Sequence, residues 1–240
     1  MIVCHSRRYV YVRVPKTGSS SVQRVLERAC TTDDLVIRDK PPRTEISYTP
    51  VKGQSHAPLE HARRYMSPPD WGKYFKFCFV RNPWDQVVSL FWWAAKDWCH
   101  PPAPPFSRIR SDFEEWLEEK TFTVIDWSLY ADRDGSLGMN YVGRYENLQE
   151  DFDAVCRTIG LPCQPLPKLL AHVRKDPSHY SRYYTKRTKS LVAERFSREI
   201  EAFGYSFERD DSHKRRRPRK TLVDTSHPVL LEGVRHAFRV

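Results

Sequence analysis

The chain has 240 residues, a hydrophobic fraction of 40% and seven tryptophans, which is enough apolar material to bury a core. This composition excludes a disordered chain, and the length favours one α/β domain over two. The formal net charge of +10 favours anionic partners, but it does not separate a nucleic acid from a phosphorylated cofactor or an acidic glycan.

A first strand, loop and helix are predicted near the start of the chain. Residues 9–14 are β-branched and aromatic, which predicts a strand, and residues 19–30 carry apolar side chains at helical spacing. Ser19 or a neighbouring serine suits the N-cap of that helix. Residues 31–55 show little periodicity and are interpreted as an extended connection, and residues 56–66 as a short helix.

A second strand, loop and helix follow. Residues 74–80 form a nearly continuous apolar run, which is typical of a central strand covered on both faces. Arg81 and Asn82 interrupt the run, and Pro83 suits the first turn of the next helix.

The remaining chain continues the alternation of strands and helices. A strand is predicted at 141–145, and helices are predicted at 111–120, 147–159 and 189–203, with Ser111 as the N-cap of the first. Strands separated by helices predict an α/β fold with a central, mostly parallel sheet flanked by helices on both faces. Ligands in such folds lie at the carboxyl ends of the strands.

The sequence also predicts the domain boundary and the location. One domain is expected over residues 1–208, followed by a basic, partly disordered extension over 209–240 that contains the basic run 214–220. The six cysteines show no metal-ligand spacing and are expected to be reduced and buried. Neither a secretory signal nor an apolar run of membrane-spanning length is evident, so we expect a cytoplasmic protein with no membrane partner.

The loop Pro15-Lys16-Thr17-Gly18 has the makings of a phosphate site. A helix start presents unpaired N–H groups and a partial positive charge, Gly18 lets the backbone approach an anion, and Lys16 adds a point charge. The Walker A pattern GxxxxGK[ST] is absent here. An ordinary capped turn is the alternative interpretation.

Arg81 is the second candidate. At the carboxyl end of a buried strand, its forked donors suit a phosphate. The alternative is an ion pair with an acidic residue such as Asp85.

Together, the PKTGSS loop and the segment FVRNPWDQVVSLF resemble the sulfotransferase superfamily, most closely the family of carbohydrate sulfotransferases and their bacterial relatives. The resemblance runs over residues 10–207. It implies a P-loop-NTPase-like core and a site for the donor PAPS (3′-phosphoadenosine 5′-phosphosulfate), whose product is PAP. Segments 142–148 and 179–185 resemble two further blocks of that family.

The resemblance also assigns roles to residues. The resemblance assigns the 5′-phosphosulfate to the loop and the helix start, and the 3′-phosphate to an Arg and a Ser. Each of the two further blocks contributes one more donor-binding residue. The implied donor-binding residues are Lys16, Thr17, Gly18, Ser19, Ser20 and Ser21, then Arg81 and Ser89, then Arg144 and Tyr184.

A hydroxyl acceptor must lose a proton, and a histidine suits that role near neutral pH. His56 lies between the two nucleotide segments, where relatives commonly carry a histidine followed by a short helix, so we predict His56 as the base. His61 and Glu60 are the alternatives. Lys16 is the second predicted catalytic residue, because it would neutralise charge on the leaving group. The scheme requires no metal, and the sequence shows no HxxxH or clustered carboxylates.

The function predicted from the sequence is therefore PAPS-dependent sulfation of a carbohydrate, such as a glycan, or of another small hydroxylated acceptor. A nucleotide kinase-like phosphotransferase is one alternative, weakened by the missing Walker A loop. A nucleic-acid-binding protein that uses the basic run 214–220 and the Arg/Tyr block 180–187 is another alternative, although a nucleic acid partner is not expected. The proline-rich stretch 100–106 is predicted to lie beside the acceptor cleft. The acceptor, the role of the basic run and the oligomeric state stay open.

Overall fold

The computed structural model describes residues 1–40, 42, 46–95, 104–119 and 125–208, together with the backbone of residues 222 and 223. The chain divides into two compact units. The first unit comprises Met1–Val80, Val124–Pro167 and Arg219–Val240, and the second comprises Arg81–Thr123 and Lys168–Pro218. The predicted extension 209–240 lies outside the described residues apart from the backbone of 222 and 223, so it stays a prediction.

The first unit contains a mixed sheet whose strands, in the described residues, have the order β4-β3-β1-β2-β5-β6-β7. The strands are β1 Ile2–Cys4, β2 Tyr9–Val12, β3 Leu35–Arg38, β4 Thr49–Lys52, β5 Phe75–Val80, β6 Tyr141–Arg144 and β7 Leu222–Val223. β1 is antiparallel to β2 and β3, β7 is antiparallel to β6, and the other neighbours are parallel. Consequently β2, β3, β4, β5 and β6 all point the same way, and their carboxyl ends meet at one edge.

The α-helices are α1 Ser19–Glu27, α2 Pro83–Ala94, α3 Phe106–Glu119, α4 Leu148–Thr158, α5 Lys186–Arg195 and α6 Ser197–Phe203. In the first unit, α1 and α4 share a buried core with the aromatic side chains of β5, since Val22, Phe152 and Phe79 belong to one cluster. β5 is buried along its whole length and lies between β2 and β6, which confirms the predicted central strand.

The second unit is helical and has an aromatic core. The ring of Phe113 on α3 lies 5.4 Å from that of Phe91 on α2 and 5.5 Å from that of Tyr183. The indole N–H of Trp92 donates a hydrogen bond to the hydroxyl of Tyr183 at 3.0 Å. Edge-to-face rings at such distances stabilise a core beyond the area they bury.

Several predicted helix bounds are wrong, because side-chain periodicity does not show where helices are capped. α3 begins at Phe106, so Ser111 lies within it and is not its N-cap. The predicted helix 189–203 is two helices, interrupted at Phe196, where φ is −105° and ψ is 26°. α5 starts three residues early because Thr185 and Thr188 form a reciprocal capping box.

Residues 31–66 also differ from the prediction. The supposed extended connection contains β3 and β4, whose mixed or exposed residues give no clear pattern, and the short helix is a 3-10 helix at Leu59–Tyr65. Among the described cysteines, Cys163 is exposed, contrary to expectation, while Cys4, Cys30, Cys78 and Cys156 are buried thiols. Every helix in the described ranges is too short or too polar to span a lipid bilayer.

Candidate active site

The loop between β2 and α1 has an unusual backbone. Lys16 has a φ of 63° and Gly18 a φ of 73°, both in the left-handed region. A Cβ atom on Gly18 would lie 2.5 Å from Cδ2 of Leu148, so any larger residue would require the Leu148 side chain to shift. A positive φ at a lysine costs on the order of 1–3 kcal/mol, and such strain clusters at ligand-binding sites.

Thr17 braces this loop from within. Its side chain is fully buried, and its hydroxyl donates to the carbonyl of Val14 at 3.0 Å. The hydroxyl is therefore engaged inside the loop, and the backbone N–H is the part of Thr17 suited to a ligand.

The start of α1 adds the positive end of a helix to the loop. Gly18 is the N-cap, and its carbonyl accepts the N–H groups of Ser21 at 2.9 Å and Val22 at 3.3 Å. No side chain in the described part of the chain caps this helix, so the predicted serine N-cap is wrong. The amides of Ser19 and Ser20 lie in the first turn, where a helix supplies no carbonyl for them.

Arg13 is a candidate site residue that the sequence analysis missed, although it directly follows β2. Its Nη2 donates to the hydroxyl oxygen of Ser20 at 3.4 Å. Its Nε is buried and has no hydrogen-bond partner within the described residues. A cation so placed favours an anion near the start of α1.

His56 is attached to the same segment through a long-range hydrogen bond. Its Nδ1 lies 2.9 Å from the backbone carbonyl of Arg13. A carbonyl only accepts, so Nδ1 carries the proton of the neutral ring and Nε2 carries the lone pair. Burial, and then the Arg13 guanidinium, lower the pKa of His56 to about 4, so the ring is neutral at pH 7.

The two alternative bases have different surroundings. Glu60 forms ion pairs with Arg63 at 2.7 Å and Arg133 at 2.6 Å. His61 lies 3.4 Å from the hydroxyl of Tyr65, and burial and Arg64 lower its pKa. Glu60 is thus engaged by two cations, whereas His56 is held against the strand that leads into the loop.

In the second unit, Arg81 is buried and pairs with Asp85, as the alternative interpretation of the sequence had it. Their side chains are 2.7 Å apart, and the other carboxylate oxygen of Asp85 accepts from Arg174 at 2.9 Å. Burial raises the pKa of Asp85, but the two guanidinium groups outweigh it and keep that pKa low. Two cations around one carboxylate leave a net positive charge.

Ser89 and Tyr184 also lie in the second unit. Ser89 is half-buried on α2. The hydroxyl of Tyr184 donates to the carbonyl of Trp84 at 2.8 Å, and its ring packs against Phe113 at 5.2 Å and Phe207 at 5.6 Å. This hydroxyl has a structural partner already.

Arg144 lies in the first unit, buried at the carboxyl end of β6. Its amide donates to the carboxylate of Asp151 at 2.5 Å, which ties β6 to α4. The first unit therefore holds Arg144, the loop residues and His56, and the second unit holds Arg81, Ser89 and Tyr184. Within the described ranges, no three His, Cys, Asp or Glu side chains are grouped to bind a metal ion.

Comparison with known proteins gives one family match and one similar protein. Residues 1–206 match the family model described as the sulfotransferase family. The chain is also similar to an uncharacterized protein of Archaeoglobus fulgidus, with 31% identity over 93 residues. That match covers 37% of this chain and 70% of the archaeal protein.

Proposed function

Because the chain belongs to the sulfotransferase family, we propose that it transfers the sulfuryl group of PAPS to a hydroxyl of a carbohydrate or another small hydroxylated acceptor. The observation that carries this proposal is the strained loop between β2 and α1, with the neutral imidazole of His56 bonded to Arg13 at the end of β2. We further propose a P-loop-like core, since the loop joins a strand to the start of a helix as phosphate loops do.

The loop and the start of α1 are proposed to hold the 5′-phosphosulfate. Lys16 supplies the charge, and Gly18 allows a close approach of the backbone. Thr17 contributes its N–H group, because its hydroxyl is engaged with Val14. Ser19 and Ser20 add the N–H groups and hydroxyls of the first helical turn, and Ser21 adds its hydroxyl, because its N–H is bonded to the Gly18 carbonyl.

The 3′-phosphate is proposed to bind Arg81 and Ser89, and this assignment rests on the family pattern. The net positive charge of Arg81, Asp85 and Arg174 supports it. Arg144 and Tyr184 are assigned to the donor on the same pattern, with weaker support, because the Tyr184 hydroxyl already bonds to a backbone carbonyl.

The proposed reaction is an in-line transfer. The acceptor oxygen gives its proton to Nε2 of His56 and forms a bond to sulfur, while the bond from sulfur to the phosphate oxygen breaks and PAP leaves. Lys16 stabilises the negative charge that grows on that phosphate oxygen. Catalysis of this kind depends mainly on position and on charge stabilisation, as in phosphoryl transfer.

Calorimetric titration of the protein with PAP, in EDTA and with ATP as the control ligand, tests the proposal. We expect binding in the micromolar range for PAP and much weaker binding for ATP. His56→Ala should bind PAP like the wild type and lose turnover. A wild-type protein that does not bind PAP would contradict the proposal, and salt-sensitive RNA binding in such a protein would favour the nucleic-acid alternative.

A further inference from the structure

Asp39 and Ser55 form a compact hydrogen-bonded pair in the first unit. One carboxylate oxygen of Asp39 accepts the N–H of Ser55 at 3.0 Å, and the other accepts its hydroxyl. The Ser55 hydroxyl oxygen in turn accepts the N–H of Asp39 at 3.3 Å. Asp39 is exposed and Ser55 is buried, so a side chain at the protein surface fixes the buried backbone of Ser55.

The strand order explains what this pair does for His56. Asp39 directly follows β3, and Arg13 directly follows β2. The two strands point the same way with β1 between them, so their carboxyl ends are about 10 Å apart, or two strand spacings. Ser55 is bonded to the end of β3, and its neighbour His56 is bonded to the end of β2.

The charges around the pair agree with this arrangement. Burial raises the pKa of Asp39, but the hydroxyl and N–H of Ser55 outweigh it, so the carboxylate is ionised at neutral pH and its hydrogen bonds are charge-assisted. Burial lowers the pKa of His56 most, Arg13 lowers it further, and Asp39 raises it. Burial also holds the pKa of the Met1 α-amino group well below its usual range, so this group carries less than a full positive charge at neutral pH. Because Asp39 is exposed, solvent screens its charge, and the hydrogen bonds are its stronger effect.

We propose that Asp39 is a positioning residue for His56, which it fixes through Ser55 so that Nδ1 stays bonded to Arg13 and Nε2 stays available for the acceptor proton. The inference rests on the proposed function, which takes His56 as the base. It adds a residue outside the loop that determines the tautomer and the burial of that base.

The tautomer and pKa of the His56 ring can be measured directly by long-range ¹H–¹⁵N NMR on ¹⁵N-histidine protein, with the His56 signal assigned from His56→Gln. In the wild type we expect the Nδ1–H tautomer and a midpoint near pH 4. Asp39→Ala should release the ring, giving mixed tautomers and a midpoint that rises toward about 6.5. Asp39→Asn keeps an oxygen for the Ser55 N–H, so it should keep the wild-type tautomer.

Asp134 offers a matched control, since it accepts the N–H of Ser136 at 2.9 Å and its hydroxyl at 2.6 Å on the exposed surface. Asp134→Ala should leave the His56 signals unchanged. Ser55→Ala removes only the hydroxyl and should give a smaller shift than Asp39→Ala, which keeps the test available if Asp39→Ala does not fold. Wild-type tautomer and midpoint in folded Asp39→Ala and in Ser55→Ala would overturn the proposal.

PAP titration of the same samples separates this inference from the proposed function. Asp39→Ala should bind PAP with the wild-type affinity, because Asp39 is bonded to Ser55 and not to the loop. A wild type that fails to bind PAP would contradict the proposed function while the NMR result still decides the role of Asp39. A loss of PAP affinity in Asp39→Ala as large as in Lys16→Ala would instead mean that Asp39 supports the loop.

Discussion

The loop after β2 and the arginine pair at the start of α2 are both suited to anions, but they are built from different materials. In the loop, backbone conformation suits an anion, because Lys16 and Gly18 are left-handed and the N-cap of α1 has no side-chain acceptor. At α2, side-chain charges suit an anion, since Arg81 and Arg174 share the carboxylate of Asp85. The loop therefore depends on its backbone conformation as well as on the charge of Lys16, whereas the cluster at α2 depends on side-chain charge.

The largest effect is expected from Lys16→Ala. Loss of a group that stabilises developing charge commonly lowers turnover by about 100 to 1000-fold, and PAP affinity should fall as well. Turnover is measured as PAP formation from PAPS with an acceptor found by screening. Lys73→Ala, which removes an exposed lysine paired with Asp70, is the control and should have no effect. Equal loss in both variants would mean that general charge, and not the loop, matters.

The pH dependence of turnover should report the pKa of His56, which is bonded to the segment that leads into the loop. With a His56 pKa of about 4, about 90% of the rings are neutral at pH 5, so turnover there should stay close to its value at pH 7, whereas a pKa of 6.5 would leave only about 3% neutral. Protonation is disfavoured in the folded protein, so His56 also makes stability fall as the pH drops from about 6.5 through 4. An acid limb near pH 6.5 in the rate profile would contradict the burial of this base.

Gly18→Ala should lower the free energy of unfolding more than the same substitution at another left-handed glycine. Gly204 also has a left-handed φ, of 62°, but a Cβ there would meet nothing within 4 Å. Gly204→Ala therefore carries only the conformational cost, about 1–2 kcal/mol, and Gly18→Ala adds overpacking against Leu148 of about 1–3 kcal/mol. Urea unfolding measures both, and PAP affinity should fall only for Gly18→Ala. Equal destabilisation would show that the loop can move away from Leu148.

Arg81→Ala should weaken PAP binding by about tenfold or more, in line with a charged hydrogen bond, and leave the fold intact because Arg174 still pairs with Asp85. Arg108→Ala is the matched control, since Arg108 forms the same i,i+4 pair with Asp112 on the surface of the second unit. Calorimetry with PAP compares them. An unchanged PAP affinity in Arg81→Ala would mean that Arg81 only pairs with Asp85 and does not bind the donor.

The smallest effect is expected from Tyr184→Phe. The variant loses one hydrogen bond to the Trp84 carbonyl, worth about 1 kcal/mol in thermal or urea unfolding. Its PAP affinity should change less than that of Arg81→Ala. A tenfold loss of affinity would show instead that the Tyr184 hydroxyl leaves Trp84 and contacts the donor.

Strong local patterns made parts of the fold predictable. The apolar run of β5 and the β-branched and aromatic run of β2 are typical of buried strands, and α1 has apolar residues at helical spacing. The loop residues could therefore be named from the turn between β2 and α1. β3 and β4 were missed because β3 is only half buried along its length and β4 has no buried residue, so neither has such a pattern. The start of α5 was missed because its capping box involves hydroxyls, which hydrophobic periodicity ignores.

What the sequence provided by itself was a family resemblance, a predicted phosphate loop and a short list of candidate bases. Only the tertiary structure separated the surroundings of His56 from those of Glu60, and only it introduced Arg13, Asp39 and the carboxylate of Asp85 between two arginines. The physical reason is distance along the chain. Turns and helix starts form among neighbouring residues, whereas the surroundings of His56 depend on hydrogen bonds that the order of the strands brings together.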